Sequence, residues 1–358
     1  MKIEQIKELA RISAGGKIPA NYEKHSMDAV NSALADGFKE MAGSINQFMK
    51  NRYDIYEIIA QAVDDVVPNR VMDGIGIFAD VRQVPQGQKA VFTRRLGRSR
   101  AKKFLTQVGL SGAYETFRLD RSTYEVGVHA QGGACSIDFE RMLDGYEDMS
   151  ELVAIMTEAM EDSVYGEVQK ALKSVVATTS TGADGKTVPA ANRVISNSFD
   201  GAKMMQLVST VRAYGNGAVI FAPPEFVGAM GPDAIVPVNV GTGQGVYSPD
   251  DINAIHTTGY VNIFRGTPIV QIPQSFTDET NTKTVIDPQL AYVLPTGNTK
   301  VVKVVMEGDT QIHDFVNRDN SMEIHFYRKL GVAIETLHNW GIYQNTGITD
   351  THEEIYSR

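Results

Sequence analysis

The sequence predicts an α+β fold, and three stretches carry the prediction. EDMSELVAIMTEAMEDSVYGEVQKALKSVVATT, from Glu147 to Thr179, has no proline and a single glycine. Its apolar residues Leu152, Ile155, Met156, Ala159, Met160, Val164, Val168, Leu172, Val175 and Val176 recur at three and four residues, the period of one helix face. GIGIFADVRQV and KAVFTRRL, around the turn signal PQGQ, alternate as strands do. The end of the chain, MEIHFYRKLGVAIETLHNWGIYQ, is rich in β-branched and aromatic residues and reads as a long strand or strand pair.

The long helix has a marked start, because Asp148 can cap its first turn while Glu151 reaches back, as in a capping box. From Ser150 to Ala177 it would rise roughly 42 Å at about 1.5 Å per residue, more a strut than a pocket wall. Ahead of it, the first 67 residues read as helices. A short amphipathic one ends at Gly15-Gly16, a weaker segment runs from about Asp28 to Met49, and YDIYEIIAQAVDDVV is stopped by Pro68. The two strand-like runs then form a long hairpin. TYEVGVHAQGGACSIDFERML gives an alternating strand, a Gly132-Gly133 turn and a short helix capped by Ser136. Residues 179 to 199 read as a loop. From Asp200 a second helix precedes the strand AVIFA, a helix start at Pro223-Pro224, and the short strands YVNIFRG, PIVQIP, AYVLPTG and VVKVVM. No internal repeat is evident.

Composition narrows the class. A chain of 358 residues with 42% apolar and 22% charged residues has room for two or three domains and an ordinary core. No window holds about 18 uninterrupted apolar residues, and the amino-terminal stretch lacks the apolar core of a signal peptide, so neither membrane insertion nor secretion is expected. The single cysteine, Cys135, fits a reducing compartment and reads as a small buried residue. The net charge of −9 argues against a general nucleic-acid binder, whose affinity rests on neutralising phosphates.

Candidate chemistry is sparse. The histidines His25, His129, His256, His313, His325, His338 and His352 never stand four apart, the spacing that sets two imidazoles on one helix face for a metal. The glycine-rich GTGQGVYSPDD, Gly241 to Asp251, lacks both an immediately following helix and a Lys-Ser/Thr pair, and reads as a flexible loop. No Gly-x-Ser-x-Gly elbow occurs. The acid pairs Asp64-Asp65, Glu161-Asp162 and Asp250-Asp251 are adjacent, so on a helix they diverge by about 100° and cannot share a substrate. No catalytic residue, cofactor or metal is expected.

One feature of charge stands out. Between Arg82 and Lys103 lie eight bases, Arg82, Lys89, Arg94, Arg95, Arg98, Arg100, Lys102 and Lys103, and no acid, which leaves −17 on the rest of the chain. Only Phe92 and Phe104 are there to stack bases, which gives single-strand binding little support. Like charges on one hairpin repel unless a partner supplies the opposite sign, and another copy of this acidic chain is the partner nearest at hand. Those eight residues are the expected intersubunit contacts.

The order of parts resembles the major capsid proteins of tailed bacteriophages, the fold named after phage Hong Kong 97. GACSIDFERMLDGYEDMSELVAIMTEAMEDSVYGEVQKAL looks like that family's short helix and spine helix. FRGTPIVQIPQSF is similar to its Gly-x-Pro strand ending in proline, and IHDFVNRDNSMEIHFYRKLGVAIE to its late strands. The resemblance implies a helical amino-terminal arm over 1–75, an extended basic hairpin loop over 76–109 and a peripheral domain with the spine helix over 110–196. An axial domain would occupy 197–307, with Gly241, Gly243 and Gly245 in a tip loop, and returning strands 308–358. It further implies self-assembly into pentamers and hexamers of an icosahedral head that encloses double-stranded DNA without reading its sequence. The partners implied are a portal, a scaffold and decoration proteins, with assembly in the host bacterial cytoplasm and residence in the virion. The amino-terminal region is too short for the removable scaffolding segment of some members, which points to a separate scaffold protein. Some members join subunits through a loop lysine, for which Lys102 or Lys103 would be the candidates here, although no motif supports it. Two alternatives are an encapsulin-like compartment, against which residues 1 to 67 weigh, and a soluble nucleotide-binding or hydrolytic enzyme whose activity would depend on Gly243.

Overall fold

The computed structural model describes residues 3–18, 26–76, 79–94, 112, 122–137, 141, 149–176, 192–213, 217–230, 262–272, 274–297, 300–316, 322–335 and 340–353. Three helices come first: α1 (Ile3–Gly15), α2 (Met27–Met41) and α3 (Ile45–Ile75). Ser26 and Ser44 cap α2 and α3, each hydroxyl accepting from the amide three residues on, at 3.3 Å. The end of α1 at Gly15-Gly16 is as the sequence predicts. Gly16 takes φ +64° and donates its amide to the Ile12 carbonyl.

Pro68 does not stop α3, which continues seven residues past it. Proline removes one rung of the helix ladder, but Val66, Val67, Val71 and Ile75 on the flanking turns are buried. Continuing the helix keeps all four in the core, and packing overrides the local cost.

Four strands build the first sheet in the order β1-β10-β11-β4, with β1 (Ala79–Val84), β4 (His129–Ile137), β10 (Val302–Val316) and β11 (Met322–Ile334). The antiparallel β10–β11 pair is its spine, and β1 joins it in parallel. Gly132 and Gly133, expected in a turn, lie within β4 opposite Tyr327 and Phe326. A Cβ at Gly132 would collide with the Phe326 carbonyl, so glycine here permits close strand approach. Ser136 lies in β4, paired with Glu323 of β11, and the short helix expected after it falls outside the described residues apart from Arg141.

The strut is helix α4, Met149–Val176, of 28 residues. Asp148, its expected cap, lies outside the described residues. Val153, Met156, Met160, Val164, Val168 and Leu172 are buried, while Ile155 and Ala159, expected in the same stripe, are exposed. The buried face is rotated relative to that expectation because α4 packs against α1, α2 and α3 as well as β11. At the crossing with α3, Tyr165 packs on Gly74, where any Cβ would strike the phenol. Burial pushes the Tyr165 hydroxyl up to about 12, with the Glu161 and Asp162 charges adding to it.

A second sheet of six strands has the order β5-β12-β9-β6-β8-β7. It comprises β5 (Arg193–Ser196), β6 (Gly217–Ala222), β7 (Ile263–Phe264), β8 (Thr267–Gln271), β9 (Leu290–Thr296) and β12 (Gly341–Asn345). Helices α5 (Gly201–Arg212, capped by Asp200) and α6 (Pro224–Met230) cover one face. Phe199, Phe226, Phe264 and Tyr343 meet there with ring centroids 5.7–6.2 Å apart. The other face, with Val219, Phe221, Tyr292 and Leu294, joins the main core beneath α4. Two parts of the expected division therefore change. The carboxy-terminal strand β12 belongs between β5 and β9, and Val302–Glu307 belongs to the first sheet, because strand pairing follows register rather than chain order.

Between Glu307 and Gln311 the β10–β11 register slips, and Gly308 takes φ +70°. The slip turns Thr310 toward α3. Its amide donates to the Asp64 carboxylate at 2.9 Å and its hydroxyl at 2.6 Å, while Arg328 Nη1 lies 3.2 Å from Asp64 Oδ1. Burial pushes the Asp64 carboxyl above its ordinary value, opposed by Thr310 and Arg328. Burial likewise lowers Arg328, opposed by Asp64. Asp64→Ala would strand a guanidinium whose side chain is only 7% exposed, and should lower stability by about 3–5 kcal/mol in urea denaturation. The double variant Asp64→Ala/Arg328→Met should recover most of that loss.

Candidate functional site

The bases singled out in the sequence lead to strands β2 (Val91–Arg94) and β3 (Ser122–Glu125), which pair with each other as an antiparallel ribbon. This corrects the expected hairpin. The runs flanking Pro85–Gln88 do not pair: β1 stays in the first sheet, and β2 takes its partner from beyond the basic segment. The turn only carries the chain from one layer to the next, with Gly87 donating its amide to Glu307 Oε1 at 2.9 Å.

The root of the ribbon is packed on the face of the first sheet opposite α3. Ala90, Phe92 and Val126 bury against Val305 and Ala333. Tyr124 stacks on Phe92 with centroids 5.9 Å apart, Arg82 lies 4.3 Å above the Phe92 ring, and Lys303 Nζ lies 5.4 Å from it. Arg82 and Lys303 both reach Asp80, at 3.0 and 3.4 Å. Burial would raise the Asp80 carboxyl, but Arg82 and Lys303 outweigh it and hold it below its ordinary value. Lys89 pairs with Glu125 across the ribbon at 2.6 Å, in solvent, where such a pair contributes little.

Two of the eight candidate bases, Arg82 and Lys89, thus have carboxylates in their own chain. The Arg94 side chain and all of Arg95, Arg98, Arg100, Lys102 and Lys103 lie outside the described residues, as do Gly241, Gly243 and Gly245. Sequence reasoning missed Asp80, Glu125 and Lys303. The Asp80-x-Arg82 spacing on one strand face was a local signal for the first, but nothing local linked Lys303 to Phe92.

Elsewhere, a cavity of about 410 Å³ lies between α4 and β4, lined chiefly by Val67, Met160, Val164, Met306, Phe326 and Leu330. Its rim also carries His129, Ser163, Glu167 and Lys170; Ser163 donates its hydroxyl to Gln131 Oε1, and His129 Nε2 lies 3.7 Å from Glu167. Among the described residues no cluster of three or more His, Cys, Asp or Glu side chains could hold a metal ion, and no helix is long and apolar enough to cross a membrane. The geometry is that of a scaffold with an anchored ribbon.

A family profile described as "SPbeta prophage-derived putative capsid protein YonB" matches residues 6–343. The chain belongs to this capsid-protein family. No curated relative matches it at significance. Among solved structures, one from Microbacterium phage Oxtober96 is similar with TM-score 0.50 at 10% identity, over 76% of this chain and 90% of that one. The capsid of a native GTA particle gives 0.49 at 9%, covering 76% and 96%. The SrpI encapsulin from Synechococcus elongatus PCC 7942 gives 0.43 at 12%, covering 79% and 89%. The protein is a structural capsid protein with the Hong Kong 97-type α+β fold, a component of the virion.

Phe92→Ala removes the stacked and cation-facing ring at a buried site and should cost about 3–5 kcal/mol locally. Hydrogen exchange at Ala90–Arg94 and Ser122–Val126 should accelerate while that of α3 stays unchanged. The pH dependence of Asp80 has a definite sign, because its folded form binds a proton less readily than its unfolded form. Its contribution is complete above the ordinary value of 3.8 and is lost as pH falls through the lower folded value. Asp80→Asn should therefore flatten the acid decline of the urea midpoint in that window.

Proposed function

We propose that this capsid protein is the major head subunit of a tailed phage or prophage element. It forms five- and six-fold rings of an icosahedral shell that encloses double-stranded DNA. The family match over residues 6–343 carries this reading. The geometry supports a division of labour. The first sheet with α3 and α4 supplies a rigid peripheral block, and the six-stranded sheet with α5 and α6 supplies an axial block. The segment between β2 and β3, rather than the whole of 76–109, is the reaching loop. Gly241, Gly243 and Gly245 are assigned to the axial tip, where ring neighbours meet.

One sequence in both five- and six-fold rings needs stiff blocks joined by parts that adjust, and many modest contacts per subunit multiply into a stable particle. The acidic balance suits a wall that encloses DNA without clamping its phosphates. In this reading assembly takes place in the host cytoplasm with a separate scaffold, a portal and decoration proteins as partners, and the subunit has no catalytic role.

Negative-stain electron microscopy of the purified chain should show closed shells or five- and six-fold rings. Charge reversal at Arg94, Arg95, Arg98 and Arg100 should cut particle yield at least tenfold while leaving the far-ultraviolet circular dichroism unchanged. A small discrete oligomer with hydrolytic activity abolished at Gly243 would overturn the reading.

A further inference from the structure

We propose that the cavity between α4 and β4 is a binding site for a small, uncharged, chain-like apolar molecule carrying one hydrogen-bond acceptor such as a carbonyl oxygen, and that Arg328 donates to that acceptor. Strand register and small side chains build the cavity. On β11, Phe326, Arg328 and Leu330 alternate onto the face that α4 covers, and they stand opposite Gly133, Gln131 and His129 of β4. Ala159 and Ser163, one turn apart on α4, lie across from them, and the buried side chains of Val67 and Met306 complete the lining. Glycine, alanine and serine leave room there that larger residues would fill, and a Cβ at Gly133 would already come to 3.0 Å from the Phe326 ring. The volume of about 410 Å³ falls within the range of about 300–1,000 Å³ usual for small-molecule sites.

One polar group in this mostly hydrocarbon lining lacks an acceptor. The Arg328 side chain is 7% exposed, and among the described residues its Nε has no hydrogen-bond partner. Its Nη1 lies 3.2 Å from Asp64 Oδ1 but is not aligned for a hydrogen bond. The neighbouring Gln131 is already engaged, its Oε1 by Ser163 and its Nε2 with His129 Nε2 at 3.2 Å. Leaving a buried donor unpaired is costly, so a molecule that fills the cavity and offers Nε an oxygen gains on both counts.

The missing element is an acceptor and not a charge. The carboxylates of Asp64 and Asp309 both act on Arg328. At the rim, Glu167 lies 3.7 Å from His129 and three residues before Lys170 on α4, so an anionic head group would meet a carboxylate at either end. An uncharged acceptor meets no such repulsion. Bound there, the molecule would touch α3, α4, β4, β10 and β11 together and brace the strut on its sheet.

The probes are methyl hexyl ketone and octanoate, equal in carbon count, each titrated calorimetrically into the full-length chain. The ketone should bind, and octanoate should bind at least about tenfold more weakly because its carboxylate must sit beside Asp64 or Glu167. Bound ketone should slow hydrogen exchange over Ala159–Lys170 and His129–Gly133 and raise the melting midpoint with concentration. Two variants locate the site. Ala159→Leu, a helix-compatible change that fills the cavity, should abolish ketone binding while the melting midpoint without ketone is kept or raised. Asp64→Ala/Arg328→Met, which removes the donor together with the charge it balances, should bind the ketone about tenfold more weakly. No ketone binding by the wild-type chain, or binding unchanged in Ala159→Leu, would overturn the site. Octanoate binding as tightly as the ketone would overturn the uncharged class, and ketone affinity unchanged in the double variant would overturn the role of Arg328. Should the double variant fail to fold, Ala159→Leu and the comparison of the two probes decide by themselves.

Discussion

One face of the long β10–β11 pair has to be kept dry, and the rest of the molecule is arranged around that requirement. Two strands alone are marginal in water. Here Val302, Val304, Met306, Ile324 and Leu330 are covered by helices of 31 and 28 residues lying on the same side. Helices that share a sheet face must also meet each other, and Gly74 against Tyr165 is where α3 and α4 do so. Arg70 then extends the assembly, with one guanidinium nitrogen on the last turn of α1 at the Ala14 carbonyl and another on Glu161 of α4. Apolar burial supplies the driving force, but it does not by itself fix where along the sheet α3 rests. The Asp64, Thr310 and Arg328 cluster does, because a buried carboxylate is tolerated only where its donors already stand.

The opposite face of the same sheet carries the ribbon root. Val305 and Ala333 receive the ribbon root, and Phe92 sits beneath two cations that share Asp80. Charges close to the root are therefore balanced inside the chain. Those farther along the segment have no acid beside them in sequence.

How much of this could be read from the sequence depended on the distance over which each signal acts. The period of α4, the start of α5 at Asp200, the glycine end of α1 and the apolar strand β6 are decided within a few residues, and all were legible. The errors share one cause. Pro68, Gly132-Gly133 and the Pro85–Gln88 turn carry strong local preferences that distant contacts overrule: buried valines on the next turn, the Phe326 carbonyl across the strand pair, and a β2 partner some thirty residues away. Ile155 was misplaced because a helical period finds an apolar stripe but does not say which of its edges faces a second helix. The excess of bases was plain in the sequence, whereas the pairing of Arg82 and Lys89 within the chain was not.

Local chemistry thus determined the inventory: an α+β chain with a long strut, an acid-free basic stretch on an acidic body, and a part order resembling tailed-phage capsid proteins. Tertiary structure alone decided which strands are neighbours, that β12 joins β5 to the rest of the six-stranded sheet, and that Asp64 meets Thr310 and Arg328 from the far end of the chain. The reason is physical. Helical period and capping are set by residues three or four positions apart, while strand register and buried ion pairs are set by whichever distant groups satisfy one another once water is gone.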